Sequence, residues 1–127
     1  MTKYQSLLED FEKSVARLRE ALQEEKTSVS RDASILRFEL AFDLAWKTLK
    51  AHLDDQFGIP VRSPKMTFRE AFKQGIVAYD DHWIELVDDR NYVVHTYKEK
   101  FADYIYAKLP AALKKFEELL KKLKHDA

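Results

Sequence analysis

The sequence predicts an all-α protein, and its composition and patterning together carry that prediction. The 127 residues include only two glycines and three prolines, so few tight turns are available. Alanine, leucine, glutamate and lysine, which favour helices, are plentiful. Almost no segment alternates polar and apolar residues with the period of two that marks a strand. The length predicts a single domain spanning residues 1–127.

Two long helices are predicted in the first half of the chain. The first runs from about Thr2 to Glu25, and Thr2 and Gln5 have the spacing of a capping box. The second runs from Ser30 to about Phe57 and is followed by Gly58, which suits a left-handed C-cap.

The second helix carries two apolar faces, roughly 140° apart in projection. A helix that is apolar on two sides needs two partners, so we expect it to be central or to lie at a subunit interface. The two faces consist of Ile35, Phe38, Phe42, Trp46, Leu49 and Leu53 on one side, and Leu36, Leu40, Leu44 and Ala51 on the other.

Three shorter elements follow a proline-containing loop over residues 58–65. The capping-box pattern from Thr67 to Glu70 predicts the start of a short helix that stops near Gly75. Asp80 or Asp81 then caps a fourth helix. A fifth helix is predicted over about Ala102 to Lys124, with a kink or break just before Pro110.

Composition also narrows the functional classes. The 22 basic and 22 acidic residues give no net charge, which argues against broad non-specific binding to nucleic acid. No cysteine is present, and the isolated histidines His52, His82 and His125 lack metal-ligand spacing, so we expect neither a metal nor a cofactor. No signal core or long apolar segment is found, which predicts a cytoplasmic protein without membrane association. The chain has no glycine-rich phosphate loop and so does not resemble a nucleotide-binding transferase.

The most informative segment is R-x4-H-x-Y, formed by Arg90, His95 and Tyr97 on the fourth helix. At about 100° per residue, Arg90 falls within an apolar arc that contains Trp83, Leu86, Val87 and Val94. An arginine is seldom buried without partners. This position therefore indicates either a buried ion pair, for which Glu39, Asp43, Asp88 and Asp89 are candidates, or an anion pocket.

Helical geometry separates the two motif residues that carry charge. Arg90 and Tyr97 lie on one stripe, whereas His95 points about 140° away from Arg90 on an ideal helix. Arg90 and His95 can therefore contact the same small ligand only if the helix ends or distorts near Thr96, or if a second copy of the helix completes the site.

Arginine and histidine suffice chemically for RNA cleavage without a metal. A histidine can take the proton of a ribose 2′-OH or give one to the leaving 5′-oxygen. An arginine can hold the phosphate and stabilise the charge of the transition state, with Asn91 orienting either group. The alternative is purely structural: an ion-paired arginine, a hydrogen-bonded histidine and a packed tyrosine.

Several segments in order resemble a known family. They are Arg37-Phe38-Glu39, Ala45 to Lys50 (A-W-K-T-L-K), Ser63-Pro64, Arg69 to Phe72 (R-E-A-F), Trp83 and Asp89 to Tyr97. Over about residues 30–100 the chain resembles the HEPN superfamily, in the branch of nucleotidyltransferase substrate-binding proteins, or HepT-like toxins.

The resemblance implies an antiparallel four- to five-helix up-and-down bundle that forms a homodimer through the faces carrying the motif. It implies a metal-independent endoribonuclease toxin with Arg90, His95 and Asn91 in the catalytic site and RNA as substrate. The implied partner is a minimal nucleotidyltransferase (MNT) antitoxin, which inhibits the toxin by transferring AMP to Tyr97. The alternative implied by the older family name is a non-catalytic substrate-binding subunit of a two-component nucleotidyltransferase.

Overall fold

Five α-helices form the protein in the computed structural model, which describes residues 1–95 and 98–126. They are α1 (Lys3–Gln23), α2 (Ser28–Phe57), α3 (Pro64–Lys73), α4 (Asp81–His95) and α5 (Glu99–Asp126). No strand occurs within the described ranges, so the predicted all-α bundle is confirmed. In those same ranges, no helix is both long and apolar enough to cross a membrane.

The helices run up and down beside one another. The start of α1 lies beside the end of α2, where the rings of Tyr4 and His52 are 4.9 Å apart. Farther along, the Arg37 guanidinium of α2 donates to the carbonyl oxygen of Arg17 in α1 at 2.8 Å. Helix α5 is also antiparallel to α1, since the Tyr4 hydroxyl donates to the Leu123 carbonyl at 3.4 Å.

A core of buried aromatic rings joins the helices. Phe68 of α3 stacks on Trp83 of α4 with ring centroids 4.7 Å apart. Trp83 in turn lies 6.1 Å from Phe116 of α5. Burial of large side chains is the main source of stability here, because truncating one such ring to alanine typically costs about 3–5 kcal/mol. The fully buried phenylalanines are Phe11, Phe38, Phe42, Phe68 and Phe116.

The predicted caps of the first two helices are largely confirmed. The Thr2 hydroxyl accepts from the Gln5 amide at 3.1 Å, and the Thr2 amide donates to the Gln5 side chain at 2.9 Å. Helix α2 begins slightly earlier than predicted because Thr27 is its N-cap and Ser30 completes that box. Gly58 adopts the left-handed C-cap conformation, with φ of 65°.

The predicted start of the third helix at Thr67 is wrong. Ser63 is the N-cap, and its hydroxyl accepts from the Met66 amide at 3.3 Å. Pro64 occupies the first turn, where its missing N–H costs nothing. Thr67 is instead buried inside the helix and donates to the Ser63 carbonyl at 2.7 Å.

The fourth helix begins where the sequence predicts, whereas the fifth differs from expectation. Asp80 caps α4, as predicted, by accepting from the His82 amide at 3.0 Å. Helix α5 begins at Glu99 instead of Ala102 and continues through Pro110, so the predicted break is wrong. Pro110 is exposed, and because it has no N–H the Tyr106 carbonyl lacks its usual helical donor.

Candidate functional site

Arg90 forms a two-pronged ion pair with Asp43 of α2. Its Nε donates to one carboxylate oxygen at 3.1 Å, and a terminal nitrogen donates to the other at 3.0 Å. The Arg90 side chain is 25% exposed and that of Asp43 is 29% exposed. Of the four carboxylates considered from sequence, Asp43 is therefore the partner.

The ion pair explains how an arginine lies within an apolar helix face. Leu86 and Val87, one turn before Arg90, are buried in the core. The hydrogen bonds that Arg90 donates to Asp43 raise the pKa of Arg90 above its ordinary value, against the opposing effect of burial. The guanidinium stays charged, and an anionic ligand must compete with Asp43 to bind it.

Glu39 lies one turn before Asp43 on α2 and shares this electrostatic environment. Its pKa is raised above the ordinary value because burial disfavours the charged carboxylate, an effect that Arg90 opposes and Asp43 reinforces. Two carboxylates therefore face one guanidinium, and Glu39 is the one that takes up a proton more readily than usual.

A groove of about 450 Å³ adjoins this cluster. It lies between the first half of α2, the end of α4 and the start of α5. Its lining includes Glu39, Leu36, Val93, Lys98 and Phe101. The groove thus combines an apolar floor with charged groups of both signs, next to the segment that carries the motif.

The remaining motif residues lie around the end of α4. Asn91 is exposed, one residue after Arg90. The described part of α4 extends to His95, and Thr96, near which the helix was expected to end or distort if one chain were to complete the site, lies outside the described residues. The His95 side chain and the whole of Tyr97 lie outside the described part of the chain. Arg90, Asp43 and Glu39 are therefore the charged groups that the structure brings together.

Arg31 fixes the start of α5 beside α2, a feature that the sequence patterns did not reveal. Its side chain is 7% exposed and donates to Glu99 at 2.8 Å and to Asp103 at 3.2 Å. Its Nε also donates to Asp32 at 3.0 Å. These bonds, led by that to Glu99, raise the pKa of Arg31. They anchor α5 directly after the motif segment.

The two apolar faces of α2 have different environments. The first face lies in the core, where Phe38, Phe42 and Leu49 are buried. On the second face, Leu36 is 56% exposed and Leu40 is 52% exposed. The prediction that this helix needs a second partner is consistent with the exposure of these leucines in the single chain.

A larger groove, of about 570 Å³, lies away from the motif. Its lining includes Trp46, Lys47 and Lys50 from the A-W-K-T-L-K segment, together with the start of α1. The described residues form no cluster of three or more histidine, aspartate or glutamate side chains suited to a metal ion.

Comparisons with known proteins place the chain in a family. The family described as "Nucleotidyltransferase substrate binding protein like" matches residues 6–125. A crystal structure of a protein from Thermus thermophilus is similar, with 37% sequence identity and a TM-score of 0.81, and the match covers 89% of this chain and 98% of that one. No functionally curated protein matches. Because the family match spans nearly all of the sequence, the chain belongs to the nucleotidyltransferase substrate-binding-protein-like family.

Proposed function

We propose that the chain is the helical, substrate-binding subunit of a two-component nucleotidyltransferase, in which a separate chain performs nucleotidyl transfer. The family match over residues 6–125 carries this proposal. The sequence also lacks the glycine-rich loop with which a transferase would hold a nucleotide phosphate. The subunit supplies the acceptor site, and Arg90 is its phosphate-binding group.

The functional form in this proposal is a homodimer assembled through α2. Leu36 and Leu40 form an exposed apolar stripe, and Asp43 lies one turn beyond Leu40 on the same side of the helix. A two-fold axis along this stripe buries the leucines of both copies. It also brings together two Arg90–Asp43 pairs across one shared cleft.

Co-purification with a nucleotidyltransferase tests the main proposal. A tagged chain, co-expressed with the transferase encoded beside it, is expected to retain that transferase through a gel-filtration step. Nucleotidyl transfer to the acceptor is expected to require both chains. Transferase activity that is unchanged when this chain is omitted would contradict the proposal.

A second candidate function is RNA cleavage, favoured by the motif R-x4-H-x-Y of Arg90, His95 and Tyr97. His95 is still part of α4, about 140° around the helix from Arg90, so this proposal requires a second copy of the helix to complete the site. In this proposal His95 transfers the protons, Arg90 leaves Asp43 to hold the scissile phosphate, and Asn91 orients the groups. The protein is then a HepT-like toxin of the HEPN superfamily.

Regulation of that toxin is assigned to Tyr97 and an MNT antitoxin. Transfer of AMP from ATP to the Tyr97 hydroxyl, which loses its proton as pyrophosphate is released, adds a phosphodiester with a negative charge that is attracted to Arg90. Occupying the arginine in this way would exclude the RNA phosphate. Tyr97 lies outside the described residues, and the proposal rests on its place in R-x4-H-x-Y.

A cleavage assay separates the two functions. The ribonuclease proposal predicts that the purified, unmodified protein cuts RNA in the presence of EDTA and leaves 2′,3′-cyclic phosphate ends. The variants Arg90→Ala and His95→Ala are expected to be inactive. RNA that stays intact at high protein concentration would overturn the ribonuclease proposal and leave the subunit proposal standing.

A further inference from the structure

The guanidinium of Arg90 is already occupied by a carboxylate of its own chain. Asp43 accepts hydrogen bonds from Nε and from a terminal nitrogen of Arg90, at 3.1 and 3.0 Å. Two parallel donors of this kind are what an arginine offers when it binds a phosphate group through two oxygens. Asp43 therefore holds the position that two phosphate oxygens would take on Arg90.

A second carboxylate, that of Glu39, makes the surroundings of Arg90 unfavourable for an anion. Glu39 lies one turn before Asp43 on α2 and is partly buried. Its charge interacts with the charges of Arg90 and Asp43. When both carboxylates are ionised, one positive and two negative charges leave a net negative charge. This charge repels a phosphate-bearing ligand even though an arginine is present.

The other charged groups in the groove that Glu39 lines compensate one another. At the start of α2, Arg31 donates to Asp32 at 3.0 Å, and it also donates to Glu99 of α5 at 2.8 Å. Lys98, just before α5, lines the same groove. These two cations balance the two acidic side chains, whereas in the motif cluster two carboxylates outnumber one guanidinium.

Uptake of a proton by Glu39 relieves this excess of negative charge. Burial raises the pKa of Glu39 above its ordinary value; Arg90 opposes this effect and Asp43 reinforces it. An anion bound at Arg90 adds negative charge beside Glu39 and raises that pKa further. Binding of an anion to Arg90 and uptake of a proton by Glu39 therefore favour each other.

We propose that Asp43 and Glu39 form an autoinhibitory carboxylate pair, which keeps the affinity of Arg90 for a phosphate-bearing ligand low until a proton from solvent neutralises Glu39 and Asp43 yields its place to the ligand. The proposal rests on the proposed function, in which Arg90 is the phosphate-binding group, and adds how that site is regulated. The carboxylate pair thus sets the ligand affinity of the arginine that it holds in place.

Sulfate is the probe for this proposal, because it resembles a phosphate group and stays doubly charged from acidic to neutral pH. Its binding to the full chain is measured by isothermal titration calorimetry. The parent protein carries His95→Ala, so that this histidine does not titrate in the same pH range. Asp43→Asn removes one negative charge beside Arg90 and is expected to tighten sulfate binding about 5- to 30-fold. Adding Arg90→Ala is expected to abolish that binding.

A matched control is Asp88→Asn, which changes the net charge by the same amount. Asp88 lies two residues before Arg90 and so points to another side of α4, where it pairs with Lys65 at 2.8 Å. Its side chain is 62% exposed, and water and salt screen its charge. Sulfate affinity is therefore expected to stay within about twofold of the parent value.

Glu39→Gln tests the pair independently, including the case in which Asp43→Asn fails to fold. In the parent protein, sulfate binding is expected to tighten as the pH is lowered from about 7.5 to about 5.5, because protonated Glu39 no longer repels the anion. Glu39→Gln is expected to bind sulfate more tightly than the parent at the higher pH and to lose most of this pH dependence.

The outcomes separate the carboxylate pair from the proposed function. Equal, Arg90-dependent sulfate affinity in Asp43→Asn, Glu39→Gln and the parent overturns the autoinhibition and leaves Arg90 as the phosphate-binding group. A pH dependence that is unchanged in Glu39→Gln also overturns it, because the proton then binds elsewhere. If no variant binds sulfate through Arg90, the phosphate-binding role of Arg90 fails together with the autoinhibition, whereas co-purification still tests the subunit proposal.

Discussion

The Arg90–Asp43 ion pair provides a quantitative test of the site's structure. Both side chains are about three-quarters buried, and the two hydrogen bonds are parallel, at 3.1 and 3.0 Å. A double-mutant cycle with Asp43→Ala, Arg90→Ala and the combined variant isolates the coupling free energy between them. The cycle is measured by urea unfolding at one fixed protein concentration, because a dimer's stability depends on concentration.

The expected magnitude follows from the geometry. Hydrogen bonds to charged groups contribute about 1.5–3 kcal/mol when shielded from water. The remaining exposure of both side chains lets water compete, so we expect a coupling free energy of about 1–2 kcal/mol. Asp43→Ala alone is expected to lower the Tm by roughly 4–10 °C for a chain of this size.

A surface ion pair serves as the control for this cycle. Lys13 and Glu9 are 3.2 Å apart on α1, with side chains 70% and 49% exposed. Their coupling free energy is expected to stay below about 0.5 kcal/mol. If the coupling between Arg90 and Asp43 is no larger than that of this control pair, the structural account of the buried arginine is refuted.

Three further perturbations probe the fold and the proposed interface. Leu36→Glu combined with Leu40→Glu is expected to convert a dimer into a folded monomer; an unchanged sedimentation coefficient would count against the α2 interface. The pKa of Asp80 lies below its ordinary value of 3.8, chiefly because Lys115 donates a hydrogen bond to the carboxylate. The ionised carboxylate therefore stabilises the folded protein at pH values above 3.8, and this contribution is lost as the pH falls through the lowered pKa. In the Asp80→Asn variant, the free energy of unfolding is therefore expected to fall less steeply as the pH is lowered through the acidic range. A pH dependence identical to that of the parent would refute this role of Asp80. Pro110→Ala is expected to raise the free energy of unfolding by about 1–3 kcal/mol by restoring a helical hydrogen bond, and calorimetry that finds no gain would contradict it.

Much of the fold could be predicted from local patterns. The caps at Thr2, Gly58 and Asp80 depend on residues close in sequence, and each is found where the sequence places it. The second apolar face of α2 can be recognised from the helical periodicity of the sequence alone. The predicted start of α3 at Thr67 was wrong because Thr67 and Glu70 have the spacing of a capping box without forming one. The helix instead begins after Ser63, its N-cap, with Pro64 in the first turn.

The contacts of the candidate site could not be predicted from local patterns, because they join residues that are far apart in the sequence. Asp43 was one of four carboxylates considered as partners of Arg90, and only the packing of α2 against α4 selects it. The same holds for Arg31, whose acidic partners on α5 lie about 70 positions away.

The most direct test of the proposed function is native mass spectrometry of the chain co-expressed with the nucleotidyltransferase encoded beside it. We predict a complex that contains both proteins, with two copies of this chain. Under the toxin–antitoxin proposal, the same spectra also show AMP increments, which map to the peptide containing Tyr97. Separate masses for the two proteins, with no complex at micromolar concentration, would contradict the assignment of this chain as a nucleotidyltransferase subunit.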